Sequence, residues 1–286
     1  MTGNLIPTQL NVRYGSQQAE PQSPPKPRIL YEACPLCAAT KIEFLREADC
    51  SGRPLYNPIV PRIMKWMRCG DCEHVFTDGI FSPEVCAVIF AKTHENQRPG
   101  SDFERQRFVS ARMVEKVARH VKSGAWLDVG FGNGSLLFTA AEWGFSPVGL
   151  DLRRSSVEAM RELGVEAHCA DLKEFESSTK FAVISMADVL EHMPFPTEAL
   201  VSAKRLLRPD GLLFLSMPNY ACMVWRLLDA ANANPYWHEL EHYHNFSRAR
   251  LFALLDEEGF DPIHYSVSER YRACMEVLAK PKSRDP

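Results

Sequence analysis

Two groups of residues in this 286-residue chain have the types and spacing to do chemistry. The first is Cys34-Pro-Leu-Cys37 and Cys69-Gly-Asp-Cys72, two Cys-x-x-Cys knuckles with 31 residues between them. Two such pairs can enclose a zinc ion tetrahedrally in thiolate. Four protein ligands leave no open coordination position, so the role implied is structural and not catalytic. Redox exchange is the alternative, but it needs one such pair on a β-α-β unit, not two on short hairpins. The second group is WLDVGFGNG, residues 126–134, followed by Asp151 in VGLD. Trp126–Val129 reads as a short buried strand. Gly130, Gly132 and Gly134 then let a ligand press against backbone N–H groups at the mouth of the next helix. Asp151 ends the following strand, where a carboxylate can accept both hydroxyls of a ribose.

Those features fit any nucleoside on a doubly wound sheet. A dinucleotide site wants a glycine turn that faces a pyrophosphate. Here the third glycine comes early, and Asp128 stands two residues before the first. A carboxylate there repels a pyrophosphate but suits a cationic amino acid end, such as that of S-adenosylmethionine (SAM). The chain resembles the class I SAM-dependent methyltransferases at residues 127–134, at VGLD, at Ala170-Asp171-Leu172, at ADVLEHMP (187–194), at LRPDGLLFLSMPN (207–219) and at HNFSRARLFALLDEEGF (244–260). These stations come in the family's order and cover roughly residues 100–280.

The resemblance implies a cofactor site. Asp128, Gly130, Gly132 and Gly134 would hold the methionine end, and Asp151 the ribose, with Leu152 beside the adenine. Asp171 would accept from the adenine amino group, unless it only caps a helix, and Leu172 would add a backbone contact. Met186 and Ala187 would flank the cofactor's amino acid moiety. A hydroxyl acceptor also needs its proton removed, and histidine suits that task near neutral pH. His192, in DVLEH, follows the fourth strand, where substrate lies in this fold; it is the first candidate for a catalytic base. His238, His242 and His244 crowd into WHELEHYHNFS, and His244 is the second candidate. Asp188, Glu191 and His192 stand at i, i+3 and i+4, one face of a helical turn. With His242 or His244 they are similar to the divalent-metal (Mg) site of ubiquinone-pathway O-methyltransferases and small-RNA 2′-O-methyltransferases, which carry Glu where Asp188 stands.

CPLC and RCGDCEHVFTD also look like the N-terminal zinc ribbon of a subset of small-molecule methyltransferases, which usually has glycine where Glu73 stands. Cys50 is a spare ligand in reach by sequence, and His74 is expected to be a turn residue. Arg53, Arg62, Lys65 and Arg68 give the ribbon a positive stretch, read first as a solvated face and second as a contact for an anionic substrate.

Holding these groups in place requires elements of both kinds. Strands are expected near 125–129, 146–150, 165–168, 181–187 and 211–217, and helices over Phe103–Val121 and near 133–143, 154–163, 195–207 and 247–258. Ile263–Ser268 and Ala273–Ala279 follow without a helix between them. The fold class expected is α/β: a doubly wound, Rossmann-like sheet of seven strands with an antiparallel last strand, plus a small zinc-ribbon module. The divisions expected are a flexible Pro-rich lead-in over 1–28, a ribbon over 29–80 and a SAM-binding domain over 81–286. A 50-residue ribbon is too small for a core of its own, so it needs the metal as a staple.

Composition sets the class. Lys+Arg 33 against Asp+Glu 36 leaves a net charge of −3, which gives no support for a nucleic-acid partner. No apolar run nears a membrane span and no signal-peptide core is visible, so a cytoplasmic protein with nine reduced or metal-bound cysteines is expected. The function expected is SAM-dependent methylation of a small polar metabolite, an O-methylation in a sugar or secondary-metabolite pathway. The alternatives are a methyltransferase acting on RNA or protein, and a catalytically silent SAM-binding protein, though the intact glycine loop and Asp151 speak against silence. Oligomeric state is not written in the sequence.

Overall fold

The computed structural model describes residues 27–93, 97–271 and 273–283, so nearly all of the lead-in expected over 1–28 lies outside the described residues. The chain begins with β1 (Arg28–Leu30), β2 (Ile42–Asp49), β3 (Ile63–Cys69), β4 (Val75–Thr77), β5 (Gly79–Phe81) and α1 (Pro83–Thr93). After α2 (Phe103–Ala118), strands and helices alternate: β6 (Gly124–Val129), α3 (Ser135–Glu142), β7 (Phe145–Asp151), α4 (Arg154–Glu162), β8 (Glu166–Cys169), β9 (Phe181–Ala187), α5 (Pro196–Leu206) and β10 (Leu207–Pro218). The chain closes with α6 (Met223–Ala230), β11 (His244–Asn245), α7 (Arg248–Glu257), β12 (Phe260–Val267) and β13 (Cys274–Pro281).

Seven of these strands form the main sheet, in the order β12-β13-β10-β9-β6-β7-β8. Pairing is parallel from β8 to β10, while β13 runs antiparallel to both β10 and β12. Its central strands are apolar on both faces, as strands covered on both sides by helices must be. Successive residues serve opposite cores. Leu127, Ile184, Leu213 and Leu215 join Leu200, Ala203, Leu251 and Leu254 of α5 and α7. Trp126, Val183, Leu212 and Phe214 join Val114, Val117, Leu137 and Met160 of α2, α3 and α4. The expected α/β class, the antiparallel last strand and most element bounds are therefore found. β6 sits where the strand order reverses, with β7 on one side and β9 on the other, the place where sheets of this kind take ligands at their carboxyl ends.

A second sheet, β11-β4-β3-β2, carries the cysteine knuckles. Its fourth strand is β11, contributed by residues more than 160 positions after β4. A third core joins Met64, Trp66 and Val75 of this sheet to Trp225, Trp237, Leu240 and Tyr243, all buried. The Trp66 indole N–H donates to the Trp237 carbonyl at 2.9 Å, with the two rings edge-on at 5.4 Å. The helix α6 and the recruitment of residues 244–245 were not expected from the sequence.

Candidate functional site

The glycine loop leaves β6 with Gly130, Gly132 and Gly134 all in the left-handed region, at φ +66°, +55° and +78°. A Cβ on Gly134 would lie 2.3 Å from Met160 Cε, and one on Gly130 2.9 Å from Val189 Cγ2. The left-handed backbone favours glycine at all three positions, and at Gly130 the branched Val189 side chain adds crowding. The Gly130 N–H donates to the Leu150 carbonyl at 2.7 Å, which ties the loop to the end of β7.

Two carboxylates flank the loop. Asp128 is buried and accepts from Ser185 Oγ at 2.5 Å, while Ser185 in turn accepts from the Trp126 indole at 2.8 Å. Burial pushes the Asp128 carboxyl up to about 7, against the pull of the Ser185 hydrogen bond and the Arg270 charge. Asp151 is also buried, and both its oxygens accept from the Arg153 guanidinium at 2.9 Å. That partner was not foreseen; a base two residues after the acid was its only trace. Leu152 projects to solvent. Asp171 is exposed, and its Oδ1 accepts from the Lys173 N–H at 2.8 Å within a turn that no helix follows. Leu172 puts its side chain into the core. Met186 is buried and Ala187 half-buried at the end of β9.

The segment after β9 is tightly held. Asp188 sits at φ +58° and pairs with Arg270 Nη1 at 3.1 Å, from the β12–β13 connection. A single helical turn, Leu190–His192, follows. Glu191 is 1% exposed, neither carboxylate oxygen has a hydrogen-bond partner among the described residues, and burial with the nearby Asp188 charge holds its carboxyl well above the ordinary range. His192 Nδ1–H donates to the Glu241 carbonyl at 3.0 Å, which leaves Nε2 with its lone pair, 4.0 Å from Glu191 Oε1. The His242 ring stands edge-on to His192 at 4.7 Å. Glu191, His192 and His242 each offer one ligand atom within 4.8 Å of the others. Of the metal set expected, Asp188, Glu191 and His192 with His242 or His244, the structure brings Glu191, His192 and His242 together, while Asp188 is engaged by Arg270 and Ser216.

His244 also departs from expectation. It is fully buried; Nε2–H donates to the Met193 carbonyl at 2.9 Å and Nδ1 meets His74 Nε2 at 3.0 Å. Both nitrogens are spent, so it has no lone pair for an acceptor. His238 Nδ1–H donates to the Asp49 carbonyl on β2.

Cys34, Cys37, Cys69 and Cys72 gather with every sulfur within 4.8 Å of the others, and the pairs Cys34–Cys72 and Cys37–Cys69 stand at 3.6 Å. Four ligands at a Zn–S distance of about 2.3 Å define a tetrahedron with S···S edges of roughly 3.8 Å, close to this spacing. The Asp71 and Cys72 N–H groups donate to Cys69 Sγ at 3.4 and 3.5 Å, which offsets thiolate charge. Cys50 is not in the cluster; its S–H donates to the Ala48 carbonyl. None of the nine cysteines is in a disulfide. Arg53 pairs with Glu239, Arg62 with Asp49 and Arg68 with Glu73, so most of the positive stretch is already neutralised.

A methyltransferase-domain family profile matches residues 103–265, more than half of the chain. The ubiquinone biosynthesis O-methyltransferase of Actinobacillus pleuropneumoniae serotype 5b (strain L20) is 32% identical over 114 residues, 36% of this chain and 49% of that protein. That of Histophilus somni (strain 2336) is 32% identical over 127 residues, 40% of this chain and 53% of that protein. The chain spans about half the length of the curated relatives it matches. Among solved structures, the 1,6-didemethyltoxoflavin-N1-methyltransferase of Burkholderia thailandensis, bound to 1,6-didemethyltoxoflavin and S-adenosylhomocysteine, superposes with a TM-score of 0.54 at 18% identity, over 75% of this chain and 98% of that one. The magnesium protoporphyrin IX methyltransferase of Synechocystis PCC 6803, with bound S-adenosylhomocysteine, gives 0.50 at 20% identity, over 63% and 84%. Both likenesses concern the fold. No helix among the described residues is long and apolar enough to cross a membrane.

Proposed function

Because the chain belongs to the class I SAM-dependent methyltransferases, we propose that it methylates a hydroxyl of a small polar metabolite, of the sugar or secondary-metabolite type, with His192 as the base. One observation supports this reading: the glycine loop and the segment that carries His192 leave the carboxyl ends of adjacent strands, β6 and β9. The loop at Gly130 packs against Val189, three residues before His192, and His192 Nε2 is the ring nitrogen left to accept a proton. The relatives named for ubiquinone biosynthesis support oxygen as the acceptor atom.

When bound, SAM supplies a methyl group activated by a sulfonium. Asp128 and the loop glycines would hold its methionine end beside Met186 and Ala187. Asp151 would hold the ribose once Arg153 turns aside, and Leu152, Asp171 and Leu172 would border the adenine. Displacement at carbon needs alignment above all, which the loop and the strand ends would provide. His192 would accept the hydroxyl proton at Nε2, its ring orientation fixed by the Glu241 carbonyl.

A divalent cation at Glu191, His192 and His242 is the second reading, and the two unpartnered oxygens of the buried Glu191 favour it. For the four cysteines we propose a structural zinc ion, supported by the sulfur spacing; metal analysis of purified protein should find about one zinc per chain, lost in Cys69→Ser.

The test of the main reading is calorimetry with SAM and NAD side by side. SAM should bind, and Asp151→Ala should weaken it by about 10- to 100-fold, as expected for charged hydrogen bonds of about 1.5–3 kcal/mol. Tighter binding of NAD would overturn it. A metabolite screen with methyl-labelled SAM then identifies the acceptor.

A further inference from the structure

The segment that carries Glu191 and His192 is anchored on the side of the cysteine knuckles by three carbonyls. The Tyr243 N–H donates to the Glu191 carbonyl at 2.9 Å, His244 Nε2–H to Met193 at 2.9 Å, and the Tyr31 hydroxyl to Pro194 at 2.7 Å. Each donor leads back to the knuckles. Tyr31 stands three residues before Cys34. His244 is backed by His74, which stands two residues after Cys72 and whose own carbonyl accepts the Cys69 N–H at 2.9 Å. Tyr243 and His244 sit at and beside β11, which pairs with β4 directly after the second knuckle.

The two histidines form a fixed strut. A carbonyl can only accept, so His244 carries its proton on Nε2 and presents a lone pair at Nδ1 to the His74 Nε2–H. The rings stack at 5.2 Å, and His74 lies between Phe76 at 5.8 Å and Phe246 at 4.9 Å. Both are fully buried, a poor environment for a cation. The pair therefore behaves as one rigid neutral unit that joins the cysteine-bearing sheet to the Met193 carbonyl.

We propose that Tyr31, His74 and His244 are positioning residues that couple the four-cysteine centre to the Glu191–Pro194 segment, so that the state of the cysteines sets the placement of His192 without touching the cofactor pocket. The proposal rests on the methyltransferase reading given above. Of the cofactor residues, Asp128 and Asp151 lie on β6 and β7 and Gly130 in the loop after β6, and they make none of these three hydrogen bonds. Disturbing the strut should loosen one side of the crevice and leave the other.

The test uses the full-length, zinc-loaded protein, Tyr31→Phe, His244→Phe and His244→Gln, and wild type stripped of metal by a chelator. Gln can still donate to the Met193 carbonyl and accept from His74. Two readouts suffice: backbone hydrogen exchange across 190–195 against that across β6 and β7, and the His192 ring resonance at fixed pH. SAM affinity is measured beside them. Tyr31→Phe, His244→Phe and metal removal are each expected to speed exchange in 190–195 by about tenfold or more beyond any change in β6 and β7 and to shift the His192 signal, with SAM affinity unchanged within about twofold. His244→Gln should return both readouts towards wild type. Unchanged exchange in 190–195, or an increase spread equally over β6 and β7 with weaker SAM binding, overturns the coupling. If His244→Phe does not fold, Tyr31→Phe, which removes one hydroxyl, decides the matter. A wild type that does not bind SAM instead overturns the cofactor reading, a separable result.

Discussion

Single side chains carry the chemistry, and their surroundings set what each can do. Asp128 is a carboxylate raised to about 7 by burial, beside a loop expected to hold a cation. Its folded value lies above the unfolded one, so the stabilisation it supplies is complete below about pH 4. That stabilisation is lost as pH rises to about 7. Cofactor-free protein should therefore lose thermal stability across this window, and Asp128→Asn should flatten the loss. A cationic ligand next to Asp128 favours its ionised form, so SAM affinity should rise as pH passes 7 in wild type but not in Asp128→Asn. Identical slopes in both proteins would remove Asp128 from the site. His192 makes a different kind of expectation. As a base it should matter for turnover alone, and His192→Ala should lower kcat by roughly 10²–10⁴ with SAM affinity nearly intact. Activity lost to EDTA and restored by Mg²⁺ would make His192 a ligand instead. Asp151 and the glycines were legible because a strand, a turn and an acid one strand later form a local pattern. Arg153 and Arg270 were not, since their partners are set by how loops fold back. His244 misled for the same reason: its place in the chain says nothing about which way the ring turns.

At the scale of elements, the long buried strands announced themselves and the short ones did not. β9 and β10 are apolar runs bounded by turn residues, and their neighbours follow from parallel pairing. β11 has two residues, too few for any period, and only tertiary structure places it beside β4. The knuckle turns are a middle case. Ala38 and Glu73 both stand in the left-handed region, at φ +58° and +59°, where most side chains are strained by about 1–2 kcal/mol. The similar ribbons usually have glycine at the position of Glu73, and the backbone here supplies the reason. The Glu73 carboxylate recovers little through Arg68, because that ion pair is exposed. Glu73→Gly should therefore raise the melting temperature by a few degrees with zinc content unchanged. A lower melting temperature would show that the ion pair outweighs the strain.

At the scale of the whole molecule, the two sheets share contacts that make separate folding costly. Trp225, Trp237, Leu240 and Tyr243 are each no more than 4% exposed, and Met64, Trp66 and Val75 of the cysteine-bearing sheet complete their cover. Buried aromatic side chains hide on the order of 150–250 Å² each, and apolar surface is worth roughly 25 cal/mol per Å². Uncovering several of them at once costs several kcal/mol, a large share of the stability of a typical domain. A fragment of residues 81–286 holds every expected cofactor residue, yet it also loses β4, the strand that pairs with β11, and Tyr31, which anchors Pro194. Produced alone, the fragment should aggregate, or bind SAM with a much lower melting temperature than the full chain. The full chain should unfold in one transition, which moves to lower temperature as a whole when metal is removed. Two resolved transitions, with the metal shifting only one, or a soluble fragment as stable as the full chain, would show that the cysteine-bearing sheet is an appendage and not part of one cooperative unit.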